Sequence, residues 1–182
     1  MTDLQTPPAL EFRSLWAEAL PWSAYAQPAM KYWGLWDGVY QRAATPDWAI
    51  AAAQPLLPLK LLVLAEDWCG DAANTVPVLA RLAERVPGID LRILARDKYP
   101  AVMDRFLTRG TRSIPIAIGL DADYQVLGHW GPRPEALQAW VLANKDTLPK
   151  DERYAEIRRW YARDRGETTL RELLTALGAT TD

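Results

Sequence analysis

The side chains best suited to chemistry are gathered in one stretch, Glu66-Asp67-Trp68-Cys69-Gly70-Asp71-Ala72, which holds the only cysteine of the 182 residues. A continuous apolar run from Leu59 to Ala65, interrupted only by Lys60, comes before it. A helical pattern from Ala72 to Val86 comes after, with Val76, Leu79, Leu82, Ala83 and Val86 on one side. Cys69 therefore falls where a buried strand ends and a helix begins. Backbone N–H groups and the helix dipole stabilise an anion at such a turn, here a thiolate. That placement makes Cys69 a candidate nucleophile rather than an inert small hydrophobe. Asp71 acts in both directions, since its charge favours a helix start but opposes thiolate formation next to it. Arg112 offsets Asp71 if it faces the cysteine. Glu66 and Asp67 read as solvated turn residues.

The elements that must hold this turn follow from the apolar patterning. Apolar residues from Ala9 to Leu20 predict a short helix stopped by Pro21, with Ser23 as the cap of the next. Tyr32, Trp33, Trp36 and Tyr40 recur at three-to-four spacing and predict a largely helical Tyr25 to Arg42. Thr45-Pro46-Asp47 opens a third helix running to about Gln54. Beyond the cysteine helix, Asp90 to Ala95 predicts a strand, Pro100 to Thr108 a helix and Ile114 to Leu120 a strand. Gln125 to Trp130 pairs back on the last of these as a hairpin. Gly131-Pro132-Arg133-Pro134 introduces a further helix, and two helices flank Gly166. Tyr154, Ile157, Trp160 and Tyr161 form a core-facing stripe on the first, and Leu170, Leu173, Leu174 and Leu177 form another on the second. Two strands joined by a helix require a parallel crossover, so the sheet is mixed.

This order, with a cysteine at the first strand-to-helix turn, resembles the thioredoxin superfamily over roughly Leu59 to Asn144. Trp68 precedes the nucleophile position, Pro77 lies eight residues after it, and Thr111-Arg112-Ser113-Ile114-Pro115 matches the segment carrying the family's cis-proline. EDWCGDA, TRSIP and WGPRP together resemble a bacterial branch of thioredoxin family proteins with a helical N-terminal extension and often no second cysteine. The resemblance implies an α/β thioredoxin-like fold, a central mixed sheet of about four strands flanked by helices, without the customary first strand. Residues 1–57 would form a helical extension, 58–147 the core and 148–182 a second helical extension, together one compact domain. It also implies an active-site surround of Trp68, Gly70, Asp71, Ala72, Arg112, Ser113, Ile114 and Pro115 about Cys69. Ala72 stands where thioredoxins carry the resolving cysteine, and Val63 where they carry the carboxylate that assists it. Both parts of the resolving apparatus are missing, so dithiol reduction is not expected.

Composition narrows the remaining choices. A net charge of −2 with no long basic run gives no support for nucleic-acid or anionic-membrane binding. No apolar run is long enough to span a membrane, and MTDLQTPPAL lacks the basic and apolar regions of a secretory signal. One cysteine excludes an intramolecular disulfide and fits a reducing compartment, so a cytoplasmic location is expected. The single histidine, His129, makes a Cys/His metal site implausible; it reads as a surface or edge residue, and no metal or cofactor is expected. The Cys-Gly-Phe-Ser of cluster-binding monothiol relatives and the Thr-x-x-Cys of peroxiredoxins are absent. Nine tryptophans are many for this length, and Trp16, Trp22, Trp33, Trp36 and Trp48 precede the cysteine. They staple the N-terminal helices to the core, or some of them line a groove beside Cys69. Two functions remain: a single-cysteine thiol–disulfide oxidoreductase, its partner a protein disulfide or low-molecular-weight thiol, and a non-catalytic binding module.

Overall fold

The computed structural model describes residues 11–181. Its centre is the strand that leads to the cysteine. β2 (Leu59–Ala65) is hydrogen-bonded on both sides, parallel to β3 (Ile89–Ala95) and antiparallel to β4 (Ile116–Leu120). A strand covered on both faces reads as an unbroken apolar run, and Leu61 through Ala65 are fully buried. Lys60 is tolerated near its start because the amine reaches the carbonyls of Asp121 and Ala122. β5 (Val126–Trp130) closes a hairpin on β4 with a register shift at Gly119/Leu120.

A fifth strand departs from expectation. β1 (Leu20–Pro21) pairs antiparallel with β3 in only two residues, giving the order β1-β3-β2-β4-β5. The edge beyond β3 is therefore capped by a short strand containing proline, which has no N–H to offer outward.

The helices cover both faces. α1 (Phe12–Glu18) and α2 (Trp22–Tyr25) flank β1; Ala9 and Leu10, where the first helix was expected to begin, lie outside the described residues. The predicted long helix from Tyr25 is shorter: α3 spans Trp33–Arg42, and Tyr32 before it is left-handed at φ 56°. Asp67 accepts the Lys31 N–H there, so the chain turns onto the thiol loop instead of continuing a helix. Ser23 sits inside α2, whose cap position is Pro21, so it does not cap that helix. α4 spans Asp47–Ala53, α5 Gly70–Arg85, and α6 only Pro100–Met103. The chain leaves α6 early through left-handed Arg109 and Gly110, and the predicted helix to Thr108 becomes turns. α7 (Glu135–Asn144), α8 (Lys150–Asp164) and α9 (Glu167–Ala176) complete the chain, with left-handed Arg165 and Gly166 between the last two. Among the described residues no helix is long and apolar enough to cross a membrane.

One apolar core runs from Trp16 to Leu177. Trp16 and Trp36 belong to it, and Trp22, Trp33 and Trp48 pack against it. Leu170, Leu173, Leu174 and Leu177 of the C-terminal stripe are buried in the same core. The α8 stripe stands apart from it: Tyr154 is exposed, and Ile157 and Tyr161 are buried with Leu137 in a smaller cluster.

Candidate functional site

Cys69 occupies the cap position of α5, with φ and ψ in the extended region. Its sulfur accepts the Ala72 N–H at 3.5 Å, the interaction by which a cap satisfies a free helix-start donor. The thiol also lies 3.5 Å from the Ile114 carbonyl oxygen, to which it donates. Ile114 precedes Pro115 across a cis peptide bond. The turn from β2 into α5 and the segment entering β4 thus meet at one sulfur. Ala72 and Val63, the two departures from the thioredoxin pattern, are both fully buried in the same core cluster as Cys69.

Cys69 is 9% exposed. Burial pushes its pKa above the ordinary thiol value; the Ala72 N–H opposes that rise, the Asp71 charge adds to it, and Arg133 opposes it. Asp71 is itself not free. One carboxylate oxygen accepts from Tyr161 Oη at 2.9 Å, and the other pairs with Arg133 at 2.7 Å. A carboxylate enclosed in this way needs partners, and these two come from different elements. Arg133 lies between β5 and α7, and Tyr161 is buried on α8. Arg133 is further held by Gln138.

Arg112, the expected counter-charge, is turned elsewhere. It makes two hydrogen bonds to Asp104, at 2.7 and 2.8 Å, on the exposed side of the segment. It still borders the cleft in front of Cys69, with Ser113 and Ile114. Glu66 and Asp67 are not merely solvated. Glu66 accepts the Asp97 N–H, and Asp67 accepts the Lys31 N–H while its carbonyl takes the indole N–H of Trp36. Both brace the thiol turn. Trp68 is 39% exposed, with the Arg96 guanidinium 5.0 Å from its ring centre. His129 lies exposed on β5 with its ring against Phe106, and makes no hydrogen bond to Cys69.

The cleft holds about 790 Å3 and brings together Trp68, Cys69, Gly70, Asp71, Arg112, Ser113 and Ile114. Tyr32 and Leu35 wall one side, and Lys150, Tyr154 and Arg158 of α8 wall another. None of the five N-terminal tryptophans lines it. Arg133 and Tyr161 escaped the sequence reading. Arg133 was visible in the WGPRP segment, and a buried acid at Asp71 calls for a cation; Tyr161 was legible only as part of an apolar stripe. Among the described residues, no three His, Cys, Asp or Glu side chains are placed to hold a metal ion.

A family model described as thioredoxin matches residues 19–163. The chain belongs to the thioredoxin family. The match takes in the thiol turn, the cis-proline segment, Arg133 and Tyr161. No curated protein matches the chain. Two solved structures share its fold. A crystal structure of a protein of unknown function from Pseudomonas aeruginosa superposes with a TM-score of 0.74 at 18% identity, covering 93% of this chain and 98% of that one. An HIV epitope scaffold superposes at 0.71 with 17% identity, covering 92% and 98%.

Proposed function

We propose that the chain is a single-cysteine thiol–disulfide oxidoreductase in which Cys69 is the catalytic nucleophile. The observation that carries this reading is the sulfur itself. It lies at a helix start, bonded to the Ala72 N–H and facing the Ile114 carbonyl, at the wall of an open cleft. In the first step the Cys69 proton leaves to solvent and the thiolate attacks one sulfur of a mixed disulfide. A Cys69–sulfur bond forms, the substrate S–S bond breaks, and the released thiolate takes up a proton. With Ala72 in the second position, resolution comes from an external low-molecular-weight thiol. Its thiolate attacks the substrate-derived sulfur and forms a new disulfide, and Cys69 leaves as thiolate. Overall the released half of the substrate disulfide is reduced to a thiol, the external thiol is oxidised into the new disulfide, and Cys69 is regenerated.

The test is intact mass of the reduced protein after exposure to glutathione disulfide and 2-hydroxyethyl disulfide. One adduct per chain at Cys69, removed by added thiol and absent in Cys69→Ser, is the expected result. An unmodified native protein at pH 8–9, in conditions where the unfolded chain is fully modified, overturns the proposal.

The burial of the sulfur and its raised pKa favour a second reading, a thioredoxin fold kept for binding. The two separate on Cys69→Ser: a binding module keeps its partner and its cellular function, and an oxidoreductase loses function with the fold intact.

A further inference from the structure

A second hollow of about 510 Å3 adjoins the thiol cleft, and Leu35, Asn74 and Arg158 border both. It lies between α3, α5 and α8, so the N-terminal and C-terminal helices build its walls. Arg42, Arg158 and Arg165 line it, and no carboxylate does. None of the three arginines has an ion-pair partner among the described residues.

Most acids on the same three helices are engaged elsewhere: Asp37 is bonded to Gln41, Asp71 to Arg133 and Tyr161, Glu84 to Arg81 and Tyr40, Glu156 to Arg159, and Asp164 to Thr168. Asp151 and Glu152 sit in the first turn of α8, where Asp151 borders the thiol cleft beside Lys150, and neither lines the hollow. The hollow is therefore locally positive on a chain whose net charge is −2. Confined positive charge on low-dielectric walls concentrates anions. Leu35, Val39, Ala43, Val78 and Ala162 supply apolar wall, and Asn74 and Tyr161 are the other polar side chains of the lining. Cleft and hollow meet at Leu35, Asn74 and Arg158, and as one groove their volumes of about 790 and 510 Å3 together exceed the roughly 300–1,000 Å3 of a small-ligand pocket.

We infer that this groove binds an acidic polypeptide segment, whose own disulfide is then presented at Cys69. The inference rests on the thiol-exchange reading for the role of Cys69, and on the arginines alone for binding. A peptide is favoured over a nucleic acid because the groove ends at a sulfur, and a nucleic acid brings no sulfur to exchange.

Binding is read by fluorescence anisotropy of a labelled, cysteine-free hexaglutamate peptide with the reduced full chain. Saturable binding that weakens with salt is expected, with roughly tenfold or more lost in Arg42→Glu/Arg158→Glu, a double reversal of two exposed and unpaired charges. The chemistry is read with cysteine peptides activated as pyridyl disulfides and flanked by Glu, Ser or Lys. Cys69 then displaces pyridine-2-thione and forms a disulfide with the peptide. The Glu-flanked peptide reacts roughly tenfold faster than the Lys-flanked one at low salt, and the double variant brings that ratio to about one. Failure of hexaglutamate to bind, equal binding by the double variant, or tighter binding of an oligodeoxynucleotide of equal charge overturns the groove. Hexaglutamate binding without reaction of any peptide disulfide supports the groove and sinks thiol exchange. Reaction at equal rates whatever the flanking charge sinks the groove and leaves thiol exchange standing.

Discussion

Cys69 is pulled between burial, which holds it as a thiol, and its cap position, which favours the thiolate. The partly buried ion pair of Asp71 and Arg133 acts on that balance with opposite signs, so substitution there has a definite direction. Asp71→Asn removes a negative charge and leaves Arg133 without its carboxylate, so both changes lower the thiol pKa. Arg133→Met does the reverse and raises it. The pH profile of iodoacetamide alkylation is expected to move down in Asp71→Asn, up in Arg133→Met and hardly at all in Arg112→Ala. Arg112 spends its charge on Asp104. A shift in Arg112→Ala equal to that in Arg133→Met would show that the pairing assigned here is wrong. Arg133→Met also strands Asp71 near the core. Its cost, read from urea unfolding, is expected at about 2 kcal/mol, below the ~3–5 kcal/mol of a fully buried broken pair because both side chains keep some water contact.

At the scale of elements, the site depends on three segments staying in register: the start of α5, the entry to β4, and the link from β5 to α7. Gly131 controls the last. Its φ is +127°, and a Cβ there would lie 2.1 Å from the Pro115 carbonyl oxygen, which belongs to rigid backbone. Gly131→Ala is expected to cost at least ~2 kcal/mol, measured as a lower denaturation midpoint, and to displace Arg133 with it. The link from α8 is weaker. Tyr161→Phe keeps the ring in its apolar seat and removes one hydrogen bond to Asp71, a loss of about 1 kcal/mol. Most of these elements were legible. β2 and α5 are long and strongly periodic, and their turn carries the cysteine. The segments around Tyr25 to Tyr32 and Asp104 to Thr108 were misread as helix. Helical spacing there is overridden by side-chain contacts from outside each segment: Asp67, 36 residues on, captures the Lys31 N–H, and Arg112, eight residues on, captures Asp104.

For the whole molecule, the groups buried in neutral form make stability fall in alkali. The Cys69 pKa is raised in the folded chain, so the stability it contributes is complete below the unfolded thiol's value of about 8.5. That contribution is lost as the pH climbs through the folded value. Tyr25 and Tyr161 are raised by burial and by nearby acids, and add a second loss that begins near the unfolded tyrosine's value of about 10. Urea midpoints are expected to hold steady up to about pH 8, then decline. Cys69→Ala should remove the earlier part of the decline and leave the later part. A wild-type profile that stays flat to pH 11 would contradict the burial of all three groups.

Local chemistry in the sequence determined the strand–cysteine–helix turn, the absence of a resolving thiol, and the apolar stripes that form the core. These follow from residue type and short-range periodicity, which a chain carries wherever it folds. Tertiary structure alone decided which cation answers Asp71, because Arg133 and Tyr161 lie 62 and 90 residues away along the chain. It also decided that Trp16 and Trp36 fill the core while Trp68, Tyr32, Leu35 and the arginines face the groove, since burial depends on what packs opposite. Cys69 was conspicuous in the sequence; how readily its proton leaves is set by side chains that only the fold brings to it.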